Sequence, residues 1–382
     1  MVAQVALSAI LLVGAGLLLH TLSRAAATKT GFTVENGIVA RMDLARQGYD
    51  EERGRAFYDN LLHEAAGIAG VRSVAYSRHV PVQRSGMRVT LTVPGYVPQP
   101  KEVINADYTM TSPGFFETLG ARLVRGREFD PRDIRGGPGV VIINEALARR
   151  YFPGRDPLGQ TLTDLGPFDK PLEIVGIAPD MKLRTLREQP RPAVYVPLAQ
   201  AYMSTMSILV RTEGPPSAFI PALQAAVARL DKDLPLYGVT TLEDQLGTAL
   251  DQEKALAILL SAFGLLAVVL AATGLGALMF HQAKSRTREF GVRLALGAGP
   301  QSVLNLVLAR GARLSAVGTG LGLVGSLALA PAIESFLFEV QPQDPATLAG
   351  VAFLLGGVGL MAALLPAWTA SRTDPAAALR AE

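Results

Sequence analysis

The sequence predicts an α-helical bundle of four membrane spans with an α+β domain inserted between spans one and two. Three observations predict it. Four apolar runs, residues 2–22, 255–280, 306–333 and 346–368, are each long enough at 1.5 Å per residue to cross a hydrocarbon core of about 30 Å. The stretch between the first two runs, residues 23–248, is polar and punctuated by Pro and Gly. The whole chain of 382 residues is 49% hydrophobic yet still 18% charged, too apolar for an ordinary two-domain soluble protein and too charged for an all-membrane one. The net charge of +3 is small and reflects Lys and Arg flanking the spans, so it implies no nucleic-acid partner. There is no cysteine, which excludes disulfides, zinc–thiolate sites and thiol nucleophiles.

The first run reads as an uncleaved span, since no basic residue precedes Arg24 and a signal peptide needs a basic leading region. That bare N-terminus is unusual for a first span entering from the cytoplasm and leads us to expect natural sequence upstream of Met1. In the inserted stretch, residues 49–66 form a helix with Phe57, Leu61 and Ala65 on one face. Strands are expected at 71–82, 87–93, 103–110, 139–143, 172–177, 193–196 and 208–211, with helices over 145–151 and 216–230. Strands and helices interleave without a strict βαβ rhythm, hence α+β, and two lobes dividing near residues 90–104 are plausible. Residues 242–254 are helix-prone and lead into the second span, either as a rigid stalk or as an ordinary juxtamembrane helix. Residues 334–344, with three acids and no base, form a short outer turn, and Asp344-Pro345 supplies an N-cap and N1 pair for the fourth span. Residues 376–380 form a short terminal helix. The expected division is span one, 1–22; soluble domain, 23–248; stalk and span two, 249–281; basic inner segment, 282–305; span three, 306–335; span four, 346–368; inner tail, 369–382.

The segment KSRTREFGVRLALGAGP, from Lys284 to Pro300, carries Lys284, Arg286, Arg288 and Arg293 against one acid, Glu289. Basic loops between spans stay on the cytoplasmic side. Glu289 precedes Arg293 by four residues, the favourable order for a helical ion pair. Phe290, Leu294 and Gly297 share an apolar face, and Arg286 and Arg293 share another. Composition alone allows this to be only a topology signal. Its shape, apolar on one side and basic on the other, suits contact with something in the cytoplasm.

Enzymatic chemistry is not legible. There is no GxxxxGK[ST] phosphate loop. The GxGxxG match from Gly320 to Gly325 lies within an apolar span, not after a strand, so it is not read as a dinucleotide site. Gly318 and Gly322 make GxxxG, which permits close helix approach, either at a dimer seam or inside one subunit. The four histidines lack metal-ligand spacing, and no catalytic pair stands out, so neither cofactor nor metal nor catalytic residue is expected.

RTREFGVRLALGA closely resembles the segment between the second and third spans of the MacB/FtsX-like ABC permeases. QVALSAILLVGAGLLL, SPGFFETLGARLVRGREF, VIINEALARRYFPGRDPLGQTL, EIVGIAPD, DPATLA, LLPA and DPAAALRAE extend the resemblance over almost the whole chain. It is similar to the duplicated-orphan-permease branch, and looks like that branch's C-terminal module. The resemblance implies a coupling helix at Arg286, Arg288, Glu289, Phe290, Gly291, Arg293, Ala295, Leu296, Gly297 and Ala298. It implies docking there of a separate ABC ATP-binding subunit, and a second permease module or a homodimer partner beside it in the bilayer. The expected protein is a multi-pass inner-membrane permease without its own nucleotide site, its large domain outside and its C-terminus inside. It would export or extract a drug, peptide, lipid or lipoprotein. An FtsX-like signalling scaffold that regulates a cell-wall enzyme is the alternative.

Overall fold

The computed structural model describes residues 1–27, 30–82, 86–166, 168, 170–186, 188–296, 299–334, 337 and 340–371. The expected terminal helix at 376–380 and part of the expected turn at 334–344 lie outside these. The chain separates into two compact units, Thr28–Ala249 and the combination of Met1–Ala27 with Leu250–Glu382.

The inserted unit is built on one mixed sheet of eleven strands. Its strands are β1 (Gly37–Asp43), β2 (Val71–Ser77), β3 (Met87–Thr90), β4 (Asn105–Thr111), β5 (Arg125–Gly126), β6 (Val140–Asn144), β7 (Thr161–Leu162), β8 (Leu172–Ala178), β9 (Ala193–Pro197), β10 (Thr205–Thr212) and β11 (Tyr237–Thr241). They lie in the order β11-β1-β10-β2-β4-β9-β6-β8-β5, with β3 on β4 and β7 on β8. The first four are antiparallel, whereas β4 runs parallel to β9 and β6 to β8. Successive side chains point to opposite faces, and both faces are covered. Ile208, Val210, Val194 and Val196 face one core, which also takes Phe57, Leu61, Leu223 and Val227 from α2 (Glu51–Ala66) and α5 (Ile220–Leu230). Leu209, Ile142 and Tyr195 face the other, with Phe115 and Phe116 of α3 (Phe115–Thr118). Double coverage explains why VVII and AVYV read as unbroken apolar runs.

The expected lobe boundary at 90–104 is not a boundary. Met87 pairs with Tyr108 and Thr90 with Asn105, so that stretch is the loop of a β3–β4 hairpin within one sheet. The narrow joint falls elsewhere, between β2 and β4, which meet through the single pair Ser77 and Thr111. A continuous stalk over 242–254 is also not observed. Helix α6 (Leu242–Thr248) ends, and α7 (Asp251–Ser285) starts after Leu250, whose φ is −110° and ψ 7°. Gly247 weakens the helix there, and Thr248 turns its hydroxyl back onto the Gln245 carbonyl at 2.8 Å.

The second unit holds four long apolar helices: α1 (Val2–Ala27), α7, α9 (Pro300–Glu334) and α10 (Pro345–Ser371). Each is long and apolar enough to cross a membrane. Helices α7 and α9, of 35 residues each, reach about 52 Å and outlast the apolar runs at their centres. Pro300 stands at the first turn of α9, where its missing N–H costs nothing. Asp344 caps α10 by accepting from the Thr347 N–H at 2.9 Å, and it meets His20 of α1 at 3.5 Å. The predicted architecture, four long apolar helices with an α+β domain inserted between the first and second, is observed, the inserted domain being one mixed sheet covered by helices.

Candidate coupling site

Between α7 and α9 the chain forms a separate short helix, α8 (Thr287–Ala295). It is separated from α7 by a break at Arg286, whose φ of −112° and ψ of 16° leave the helical region. Thr287 holds the turn, its hydroxyl donating to the Lys284 carbonyl at 2.7 Å. The turn lets α8 leave the axis of α7.

Glu289 lies between two guanidinium groups. Arg293 Nη2 donates to Glu289 Oε1 at 2.7 Å, and Arg286 Nη1 lies 3.5 Å from Glu289 Oε2. All three side chains are exposed by two-fifths or more, so each pair contributes only about 0.2–1 kcal/mol. Their effect is to fix the direction of two cations on one face. Next to them in the chain, Phe290 is 2% exposed and packs against Val303 and Val307 of α9 and Ala367 and Ala370 of α10. Beside it is a cavity of about 20 Å³ between Met279, Gln282, Arg286, Val307 and Arg310. Gln282 Oε1 is buried at this position with no hydrogen-bond partner among the described residues.

Arg288 is exposed and makes no ion pair among the described residues. Leu296 is 83% exposed just past the helix end, and Val292 is 40% exposed. Gly291 and Ala295 lie on the backbone of α8. Gly297 and Ala298 fall outside the described residues. The structure therefore brings Arg286, Glu289 and Arg293 together, leaves Arg288 and Leu296 facing out, and roots the group through Phe290.

Gly318 and Gly322 sit elsewhere, on the face of α9 that meets α1. A Cβ at Gly318 would lie 2.7 Å from Val5 Cβ. One at Gly322 would lie 2.4 Å from Ala9 Cβ and 2.6 Å from the Ala6 carbonyl. Within this chain both glycines therefore lie at a close approach of α9 to α1. The motif at Gly320, Gly322 and Gly325 lies inside the unbroken α9, without the strand and turn that a dinucleotide site needs. A second close seam was missed in the sequence. A Cβ at Gly359 of α10 would meet Ser315 Oγ at 2.5 Å, and one at Gly311 would meet Ala363 Cβ at 2.8 Å. Ser315 Oγ donates to the Leu355 carbonyl at 3.1 Å across that seam. The signal was present as small residues four apart, Gly311 with Ser315 and Gly359 with Ala363. Among the described residues no three His, Asp or Glu side chains converge as a metal site.

Four apolar helices, an α/β domain inserted after the first, and a short basic helix between the second and third define a multi-pass membrane protein of permease type. The chain belongs to the family of the MacB-like periplasmic core domain, whose model matches residues 2–230, and residues 261–375 match the FtsX-like permease C-terminal model; together these mark a MacB/FtsX-like ABC permease. The macrolide export ATP-binding/permease protein MacB 2 of Aeromonas hydrophila is 27% identical over 282 residues, covering 70% of this chain and 42% of that protein. The macrolide export ATP-binding/permease protein MacB of Rhodospirillum rubrum is 25% identical over 334 residues, covering 84% of this chain and 47% of that protein. The chain thus spans less than half the length of these curated relatives. The solved periplasmic region of MacB from Actinobacillus actinomycetemcomitans aligns with 57% of this chain and 94% of its own, at 16% identity and a TM-score of 0.38.

Proposed function

We propose that this chain is the permease part of an ABC-type transporter, and that α8 is where a separate ABC ATP-binding subunit docks. The observation that carries the reading is the two-sided build of α8. Phe290 is sunk between α9 and α10, while Arg288 and Arg293 of α8, and Arg286 at the break before it, are exposed with one acid among them. A push on the basic face therefore reaches two spans through one buried ring. In this reading α8 and the C-terminus face the cytoplasm, and the inserted domain faces away from it. ATP hydrolysis on the partner moves α8, and the spans pass that motion to the inserted domain, which handles a drug, peptide, lipid or lipoprotein in a cell inner membrane. A second permease module or a second copy of the chain completes the assembly, because four spans are too few to enclose a path. The curated relatives are named as macrolide export proteins with an ATP-binding part, which supports export as the activity.

The test is co-purification with the ATP-binding subunit and stimulation of its ATPase. Arg288→Glu should abolish both, since Arg288 is exposed and its loss leaves the fold intact. Undiminished binding and stimulation in Arg288→Glu would remove α8 as the docking element.

A further inference from the structure

The inserted domain carries a cleft of about 600 Å³ that the coupling reading does not use. Its volume falls within the ordinary range of ligand sites, roughly 300–1,000 Å³. One wall is a single face of α2, with Glu51, Glu52, Arg55, Tyr58, Asp59 and Leu62 recurring at helical spacing. That face runs for about 16 Å. The cleft is also lined by Pro113, Ile134, Ala199 and Tyr202. Tyr202 can stand against α2 only because residue 54 is glycine, where a Cβ would lie 2.0 Å from its hydroxyl. Ile134 is 56% exposed, an apolar side chain without cover.

The charges along the cleft are uneven. Both cations are committed to Glu51. Arg55 pairs with it at 2.9 Å and Arg135, from outside α2, reaches it at 2.8 Å. Arg55 also donates to the Ala199 carbonyl at 3.0 Å and lies 5.7 Å from the centre of the Tyr202 ring. Glu52 and Asp59 are exposed and have no ion-pair partner among the described residues. They lie seven residues apart on α2, on one face and separated by about 10 Å.

From this geometry we infer that the cleft is a docking site for an extended segment of another polypeptide. The segment carries two basic side chains three residues apart and an apolar one between them. In a polyproline II conformation, residues i and i+3 return to the same face after about 9 Å, which matches the Glu52–Asp59 separation. Five such residues span about 16 Å, the length of the wall. The apolar side chain then lies toward Tyr58 and Tyr202, which line the cleft between the two carboxylates, an aromatic groove of the kind that receives extended chains. This inference concerns the inserted domain alone and does not depend on docking at α8.

The test uses the full chain in discs of zwitterionic lipid and measures fluorescence anisotropy of the labelled, capped pentapeptide Lys-Pro-Leu-Lys-Pro. Saturable binding is expected. It should weaken about fivefold or more in the Glu52→Gln, Asp59→Asn double variant, as two exposed ion pairs are lost. Both positions are exposed, so the variant keeps its fold. Absence of binding, equal binding of Glu-Pro-Leu-Glu-Pro, or unchanged affinity in the double variant would overturn the inference. Displacement by equimolar spermidine would reassign the cleft to small amines and overturn it as well.

Discussion

The side-chain amide of Asn144 donates to Asp180 Oδ1 at 2.7 Å, and this contact joins two of the motifs that mark the inserted domain. The same amide donates to the Arg191 carbonyl at 2.7 Å, while Asn144 Oδ1 accepts from the Leu147 and Ala193 N–H groups at 3.1 and 2.8 Å. Asp180 in turn accepts from the Ala146 N–H at 2.8 Å and pairs with Arg149. Asn144 is 2% exposed, so removing its side chain strands buried backbone donors. Asn144→Ala should cost about 2–4 kcal/mol, the loss of an N-cap plus unsatisfied polar groups. Asn144→Asp keeps the cap acceptor but turns a donor toward the Asp180 carboxylate into a like charge. It should lower the unfolding midpoint at pH 7 and recover part of the loss in acid. A midpoint equal to that of the unaltered chain for Asn144→Ala would show that the motif is kept for some other reason.

Glycine 322 offers a sharp contrast with its neighbour. The backbone carbonyl of Ala6 cannot move aside as a flexible side chain could, so a methyl group 2.6 Å away separates α9 from α1. Gly320, two residues earlier on the same helix, has nothing within 4 Å of its absent Cβ. Gly322→Ala should lower stability by about 1–3 kcal/mol, whereas Gly320→Ala should leave it unchanged or slightly raised. Thermal unfolding in detergent distinguishes them. Equal behaviour of the two variants would mean that α1 does not pack where it is placed.

These particulars show how far the amino-acid sequence could be read. Helix α4 (Glu145–Tyr151) was legible to the residue, because Asn144 is a cap whose partner lies three residues on. The Glu289–Arg293 pair was legible for the same reason, being local. Strand β1 was not anticipated. Its apolar core is short, Arg41 interrupts it, and its stability comes from β10, where Ile38 pairs with Val210 far along the chain. The false boundary at 90–104 arose because a Pro- and Gly-rich hairpin loop has the composition of a linker. Phe290 was assigned to an apolar face, but its neighbours Ala367 and Ala370 come from α10 and leave no mark on the local pattern. GxxxG likewise announces a close approach without naming what approaches.

Phe290 and Arg288 should separate folding from docking. Phe290→Ala empties a site that is 2% exposed and should cost about 3–5 kcal/mol if the site cannot collapse. Its unfolding midpoint should fall while residual partner binding persists at low temperature. Arg288→Glu should leave the midpoint alone and remove binding. Paired midpoint and pull-down measurements check both, and loss of stability in Arg288→Glu would show that its side chain is part of the packing.

The last expectation concerns acid. His79 is pushed down to about 4, first by burial and then by the nearby positive charges of Arg78 and Arg41, with Arg184 adding to them and a backbone hydrogen bond to Tyr108 opposing. Its Nδ1 is buried with no hydrogen-bond partner among the described residues. The folded value lies below the ordinary one of about 6.5, so the unfolded chain takes up the proton first. Above pH 6.5 neither state is protonated and the residue has no pH-dependent effect. As pH falls from 6.5 toward 4 the unfolded state is increasingly favoured, and below 4 the effect levels off. Allowing for the part of the ring that water reaches, the loss across this window is on the order of 2 kcal/mol. His79→Gln removes the titrating group, so its stability should decline less between pH 7 and 4.5 than that of the unaltered chain. Unfolding midpoints measured across that range provide the check: curves that run parallel for the two proteins would show that His79 titrates as freely in the folded chain as in the unfolded one.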